Sequence, residues 1–161
     1  DENLRKAICY AIDTDGLIKG VFAGYGKSMH DPIADTSVGY LEKWKDEEYY
    51  PYDVEKAKEL ISQSNYKGEE LEFLATSSST TQRICQMIQG YLLQVGINVK
   101  LNLVDQALYT ATRLDGTQYD MTINTVGGET LPDHWSIRYD YQAYKTGDAT
   151  ARHDEALGEL L

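Results

Sequence analysis

The stretch that most restricts the fold runs from residue 71 to residue 126, where short alternating segments flank longer segments of helical period. Leu71, Phe73 and Ala75 alternate with Glu72 and Leu74. In "INVKLNL", Ile97, Val99, Leu101 and Leu103 alternate with Asn98, Lys100 and Asn102. "YDMTINTV", residues 119–126, reads as a third strand that closes on Gly127-Gly128. A period of two marks a pleated strand with one side toward a core. Between the first two strands, Ile84, Ile88, Tyr91, Leu92 and Val95 recur at helical spacing, and Gly96 suits the left-handed position after a helix. Asp105 is placed to cap a shorter helix ending near Gly116. Strand–helix–strand–helix–strand implies an α/β layered sheet. Right-handed crossovers then let all three strands lie parallel with helices packed on them.

In a sheet of this kind ligands sit outside the carboxyl ends of the strands. That rule brings residues 77–81, Asp105-Gln106 and residues 127–129 to one rim. Ser78 and Thr80 belong to a small polar run before a helix, where free N–H groups and the dipole favour an anion or carboxylate. Ordinary capping is the competing role. Gln106 adds a carboxamide at the next helix start. Gly127 and Gly128 let a ligand approach the backbone closely, and Glu129 can pair with an ammonium group or stand as a solvated turn acid. Trp135 can stack on a ligand ring or cation, or cover the domain's own core. The 13 tyrosines scatter over the chain, which fits structural use with a share in a wet binding surface.

The N-terminal part is helical. Leu4, Ile8, Ala11 and Ile12 form one stripe. Asp13 or Thr14 caps a second helix through Leu17, Ile18, Val21 and Phe22, ended by Gly24 and Gly26. Residues 27–50 read as loop. In "YYPYDVEKAKELI", Pro51 brings the chain in extended and Asp53 stands at an N-cap. Val54, Ala57, Leu60 and Ile61 then make the buried face, with Glu55, Lys56, Lys58 and Glu59 toward water.

Composition narrows the function. With 161 residues and 42% hydrophobic content, residues 1–161 are expected to form a single α/β domain. A net charge of −11 argues against nucleic acid, whose phosphates need clustered Lys and Arg, and disfavours an anionic membrane surface. His30, His134 and His153 lie far apart with no H-E-x-x-H or paired-Cys spacing, so neither a metal nor a cofactor is expected. Ser136, His134 and Asp133 are sequence neighbours and no G-x-S-x-G elbow exists, so the expected role is non-catalytic. Cys9 and Cys85 each sit in an apolar helical pattern. Two buried, unreactive thiols are expected, a disulfide being the alternative. No apolar run approaches the ~20 residues that span a bilayer. The chain opens on Asp1 and ends on Leu161 within helix-like sequence, so an excised piece of a longer polypeptide is expected.

Four segments in register carry a resemblance: "LRKAICYAIDTDGLIKGVFAGYG", "YPYDVEKAKELI", "GINVKL" and "YDMTINTVGG". They resemble the extracytoplasmic solute-binding proteins of peptide- and nickel-type ABC importers (family 5). The likeness includes an R-x-A-[IL]-x-x-A-[IL]-D segment at Arg5, Ala7, Ile8, Ala11, Ile12 and Asp13. It implies a three-layer lobe of the type II periplasmic-binding-protein kind, with a small, mainly parallel or mixed sheet and helices on both faces. The chain would be part of the second lobe, with the first lobe of the same polypeptide absent. It further implies substrate capture outside the bacterial cytoplasmic membrane, periplasmic or lipid-anchored, with delivery to membrane permease subunits. Oligopeptide is the ligand expected, with an oligosaccharide or a nickel or other metal chelate as the alternative. A stand-alone interaction domain or hydrolase is the reading from another class. Peptide-binding relatives hold the peptide's amino terminus with an aspartate in a Trp-x-x-Asp-type segment. Here that stretch reads "TVGGETLPDHW", and Glu129 is the nearest acid. The same likeness makes "YPYD" architectural, packing a helix on the back of the lobe.

Overall fold

The computed structural model describes residues 1–29 and 49–125, which belong to one compact unit. Its sheet is built on β1 (Leu71–Thr76), flanked by β2 (Val99–Val104) and β3 (Met121–Thr122) in the order β2-β1-β3. Both pairings are parallel. Phe73 lies opposite Leu101 on one side and Met121 on the other. Parallel neighbours require crossovers. The two here are helices, α4 (Ser79–Gln94) between β1 and β2, and α5 (Gln106–Asp115) between β2 and β3.

On one face of the sheet Leu71, Phe73, Ala75 and Val99 join Cys85, Ile88 and Leu92 of α4 in the main core. On the other face Leu74 has no exposed surface, beneath α5 with its buried Tyr109 and Thr112. The strict alternation expected for this strand therefore fails at Leu74, because a central parallel strand is covered on both sides. Away from the helices the second face turns polar. Glu72 and Lys100 stand opposite each other in register and pair at 3.1 Å.

Three further helices complete the helical layer on the α4 side: α1 (Glu2–Ala11), α2 (Thr14–Phe22) and α3 (Val54–Ser62). Ala7 of α1 and Ala57 of α3 are both fully buried, so the two helices approach with little side chain between them. Three long-range hydrogen bonds tie the same surfaces. Asp53 N–H donates to the Tyr10 carbonyl at 2.9 Å, Asn3 Nδ2 to the Gln63 carbonyl at 3.1 Å, and Asn65 N–H to the Asp1 carboxylate at 3.0 Å. Asp53 is the cap expected of it, its carboxylate accepting from Lys56 N–H at 2.8 Å. Such a cap contributes about 1 kcal/mol. Tyr50 meets Tyr10 edge to face at 5.4 Å between ring centres, and Tyr52 lies 6.2 Å from Tyr91 of α4. The aromatic run before α3 thus locks three helices together. α2 reaches α4 through glycines: a Cβ at Gly20 would stand 2.8 Å from Met87 Cε, and one at Gly16 would stand 2.6 Å from the Tyr91 hydroxyl.

Several local expectations are corrected. The second helix turns off at Ala23, not at Gly24. Ala23 takes the left-handed conformation (φ 51°), and its N–H closes on the Ile18 carbonyl. The second strand begins at Val99 and not at Ile97, which is fully buried ahead of it. The third strand spans two residues in place of eight, since pairing with β1 is confined to Phe73 and Leu74. Cys9 is exposed because it falls off the face carrying Ala7 and Ala11. Cys85 is fully buried as expected, and both thiols are free.

Replacing Leu74 by Ala should cost about 2–5 kcal/mol in a denaturant titration, as for a well-packed core leucine. Leu93→Ala, at a side chain 63% exposed, should stay within about 0.5 kcal/mol. Equal effects would show that the second face of the sheet is not a core.

Candidate binding cleft

The carboxyl ends of the strands come together as the topology requires. Thr76 and Val104 are register partners, and the ladder runs one step further through Ser77 N–H to the Val104 carbonyl at 2.8 Å. Beside them a cleft of about 140 Å³ opens, lined by Thr76, Thr81, Gln106, Tyr109, Asn124 and Thr125, with Ile84 and Ile123 as its apolar members. It draws on the first turns of α4 and α5 and on the chain leaving β3. None of these side chains is charged, so the cleft presents hydroxyls and carboxamides.

Each polar wall is held by its neighbours. Thr81 Oγ1 accepts from the Thr76 hydroxyl at 3.2 Å and the Ser78 hydroxyl at 2.8 Å, fastening the end of β1 to the first turn of α4. The Gln106 carboxamide donates to Thr110 Oγ1 at 3.3 Å, and Thr110 in turn donates to the Gln106 carbonyl at 2.9 Å. Asp105 caps α5, its carboxylate accepting from Ala107 and Leu108 N–H.

Of the residues expected from sequence, Gln106 lines the cleft. Ser78 is the N-cap of α4, accepting from Thr81 N–H at 3.3 Å, and Thr80 is exposed on the first turn; neither lines the cleft. Gly127, Gly128, Glu129 and Trp135 lie outside the described residues, as do the three histidines. Thr81 falls within the expected rim segment 77–81 without having been singled out there, and the reading missed Thr76, Tyr109, Asn124 and Thr125. A signal for Thr81 existed: it shares the helical phase of Ile84 and Ile88, the face that turns toward the sheet. Among the described residues no group of three or more His, Cys, Asp or Glu side chains could hold a metal, and no helix is long and apolar enough to cross a membrane.

A parallel sheet wrapped by helices, with a polar cleft at its carboxyl ends, is the architecture of a binding lobe. The chain belongs to the bacterial extracellular solute-binding proteins, family 5, whose model matches residues 1–148. It is 29% identical over 141 residues to the dipeptide-binding protein of Escherichia coli K12, covering 84% of this chain and 26% of that protein. It is 36% identical over 104 residues to the glutathione-binding protein GsiB of Pectobacterium atrosepticum, covering 63% and 20%. Its backbone matches that of NikA from Brucella suis in complex with Fe(III)-EDTA, with a TM-score of 0.75 and 25% identity, covering all of this chain and 36% of that one. The fold is that of the type II periplasmic binding proteins. The chain spans about a quarter or less of the length of these two curated relatives.

The cap at Ser78 has a direct check. Ser78→Ala should lower stability by about 1 kcal/mol. Thr80→Ala, exposed two residues further on, should change it by less than about 0.5 kcal/mol. Matching denaturation midpoints for the two variants would remove Ser78 from the cap.

Proposed function

We propose that this chain is part of the second lobe of a two-lobed receptor that captures oligopeptides outside the bacterial cytoplasmic membrane and passes them to the permease subunits of an ABC importer. The observation that carries the reading is the uncharged, hydrogen-bonding cleft at the carboxyl ends of three parallel strands. A peptide backbone, rich in amide donors and acceptors, is the matching chemistry. The names of the dipeptide- and glutathione-binding relatives support the same class.

At about 140 Å³ the cleft is smaller than the roughly 300–1,000 Å³ of complete ligand pockets, so a ligand held here needs further walls. A facing lobe supplies them. Closure expels water and strengthens each polar contact on both sides. In this reading Gln106 and Thr81 contact the peptide from the cleft, with Ser78 and Thr80 on its rim. Glu129 binds the ligand ammonium beside Gly127-Gly128, and Trp135 stacks on a side chain. The role is capture without catalysis, and it requires no cofactor. A metal chelate is the second reading, favoured by the likeness to the protein bound to Fe(III)-EDTA.

Thermal-shift measurements on the full-length receptor discriminate the two. A pool of alanine- and glycine-containing di- to pentapeptides should raise the melting temperature, since a ligand that binds only the folded state stabilises it. A rise with nickel–histidine and none with the peptide pool would replace the oligopeptide reading by the chelate one. Glu129→Ala should weaken binding of the pool about tenfold or more, the loss expected for a charge-assisted hydrogen bond. An unchanged Kd takes Glu129 out of the site.

A further inference from the structure

We propose that Tyr109 is a positioning residue that sets where one wall of the cleft stands. The inference rests on the reading of that cleft as the ligand site. β3 is joined to β1 only at Met121 and Thr122, so the register ends before the chain reaches the cleft. Upstream the strand is pinned twice: Asp120 N–H donates to the Glu72 carbonyl at 3.0 Å, and Glu72 N–H donates to the Asp120 carboxylate at 2.8 Å. Downstream, Ile123, Asn124 and Thr125 line the cleft beyond the last paired residue.

What holds that segment is a pair of side-chain hydroxyls. The Tyr109 phenol, 3% exposed on α5, donates to the Ile123 carbonyl at 2.6 Å. The Thr122 hydroxyl lies 3.0 Å from the Leu74 carbonyl and 3.3 Å from the Tyr109 oxygen, linking β1, β3 and α5 at one point. The phenol's single proton is committed to Ile123. Tyr109 therefore acts on a ligand through the backbone it holds, while its ring supplies part of the cleft surface. A wall displaced by a fraction of an ångström changes every hydrogen bond made from Asn124 and Thr125, because such bonds weaken steeply with poor geometry.

Tyr109→Phe keeps the ring and removes only the strut. Backbone order parameters from NMR relaxation of the 161-residue chain are the first readout, with Leu108→Ala, an exposed neighbour on the same helix, as control. Tyr109→Phe should lower the order parameters of residues 123–125, which lose their tie at the Ile123 carbonyl, and leave residues 73–75 of β1 unchanged. Leu108→Ala should do neither. A uniform fall in both segments, or none at 123–125, overturns the proposal. In the full-length receptor the same variant should weaken binding of the peptide pool several-fold while lowering the melting temperature of the unliganded protein by only about 1–4 °C, as one lost hydrogen bond would; undiminished affinity also overturns it. If the wild-type receptor binds no peptide from the pool, the oligopeptide reading fails, while the order parameters of residues 123–125 still decide whether Tyr109 holds the wall.

Discussion

Everything in this unit hangs on β1 being paired in parallel on both of its edges. Parallel pairing forces the chain to cross over, each crossover is a helix, and each helix begins where a strand has just ended. The helix starts that shape the cleft are thus a by-product of strand direction. Burial follows from the same constraint: a middle strand with helices above and below presents two apolar faces, and Phe73 and Leu74, adjacent in sequence, fill opposite cores.

The helical layer around α4 is stitched by backbone and aromatic contacts more than by charge. The ion pairs described sit at the surface, one within α1, two within α3 and one across the strands. Pairs of this kind contribute little individually. The Ala7–Ala57 approach, the glycines of α2 and the tyrosines before α3 do the joining instead. This leaves the rim of the sheet free to carry polar side chains.

Much of the fold was legible because its signals are local. Asp13, Asp53 and Asp105 each cap the helix that follows, and Gly96 and Gly116 adopt the left-handed turns that end α4 and α5. What could not be read depends on neighbours distant in sequence. Nothing in "LEFLAT" says that a second helix covers Leu74, and nothing in "YDMTINTV" says that pairing stops at Thr122. The cleft divides in the same way. Topology gave the segments 77–81 and 105–106, which supply Thr81 and Gln106, whereas it did not give residues 123–125, and the third segment, 127–129, lies outside the described residues. Which hydroxyl of the Ser/Thr run turns inward is a matter of helix phase: Ser78 is spent on the cap, and Thr81, one turn on, faces the sheet.

Cys85 is wedged between α4 and the sheet with no exposed surface, and burial pushes its thiol up to about 11. At neutral pH roughly one such group in ten thousand is ionised, and a thiolate, not a thiol, attacks alkylating reagents. Cys9, on the outer surface, is reachable by the same reagents, though partial burial raises its thiol as well and slows the reaction. The chain therefore carries two chemical reporters: one sulfur that reagent can reach in the folded state, and one whose modification clocks each occasion on which the middle of the molecule comes apart.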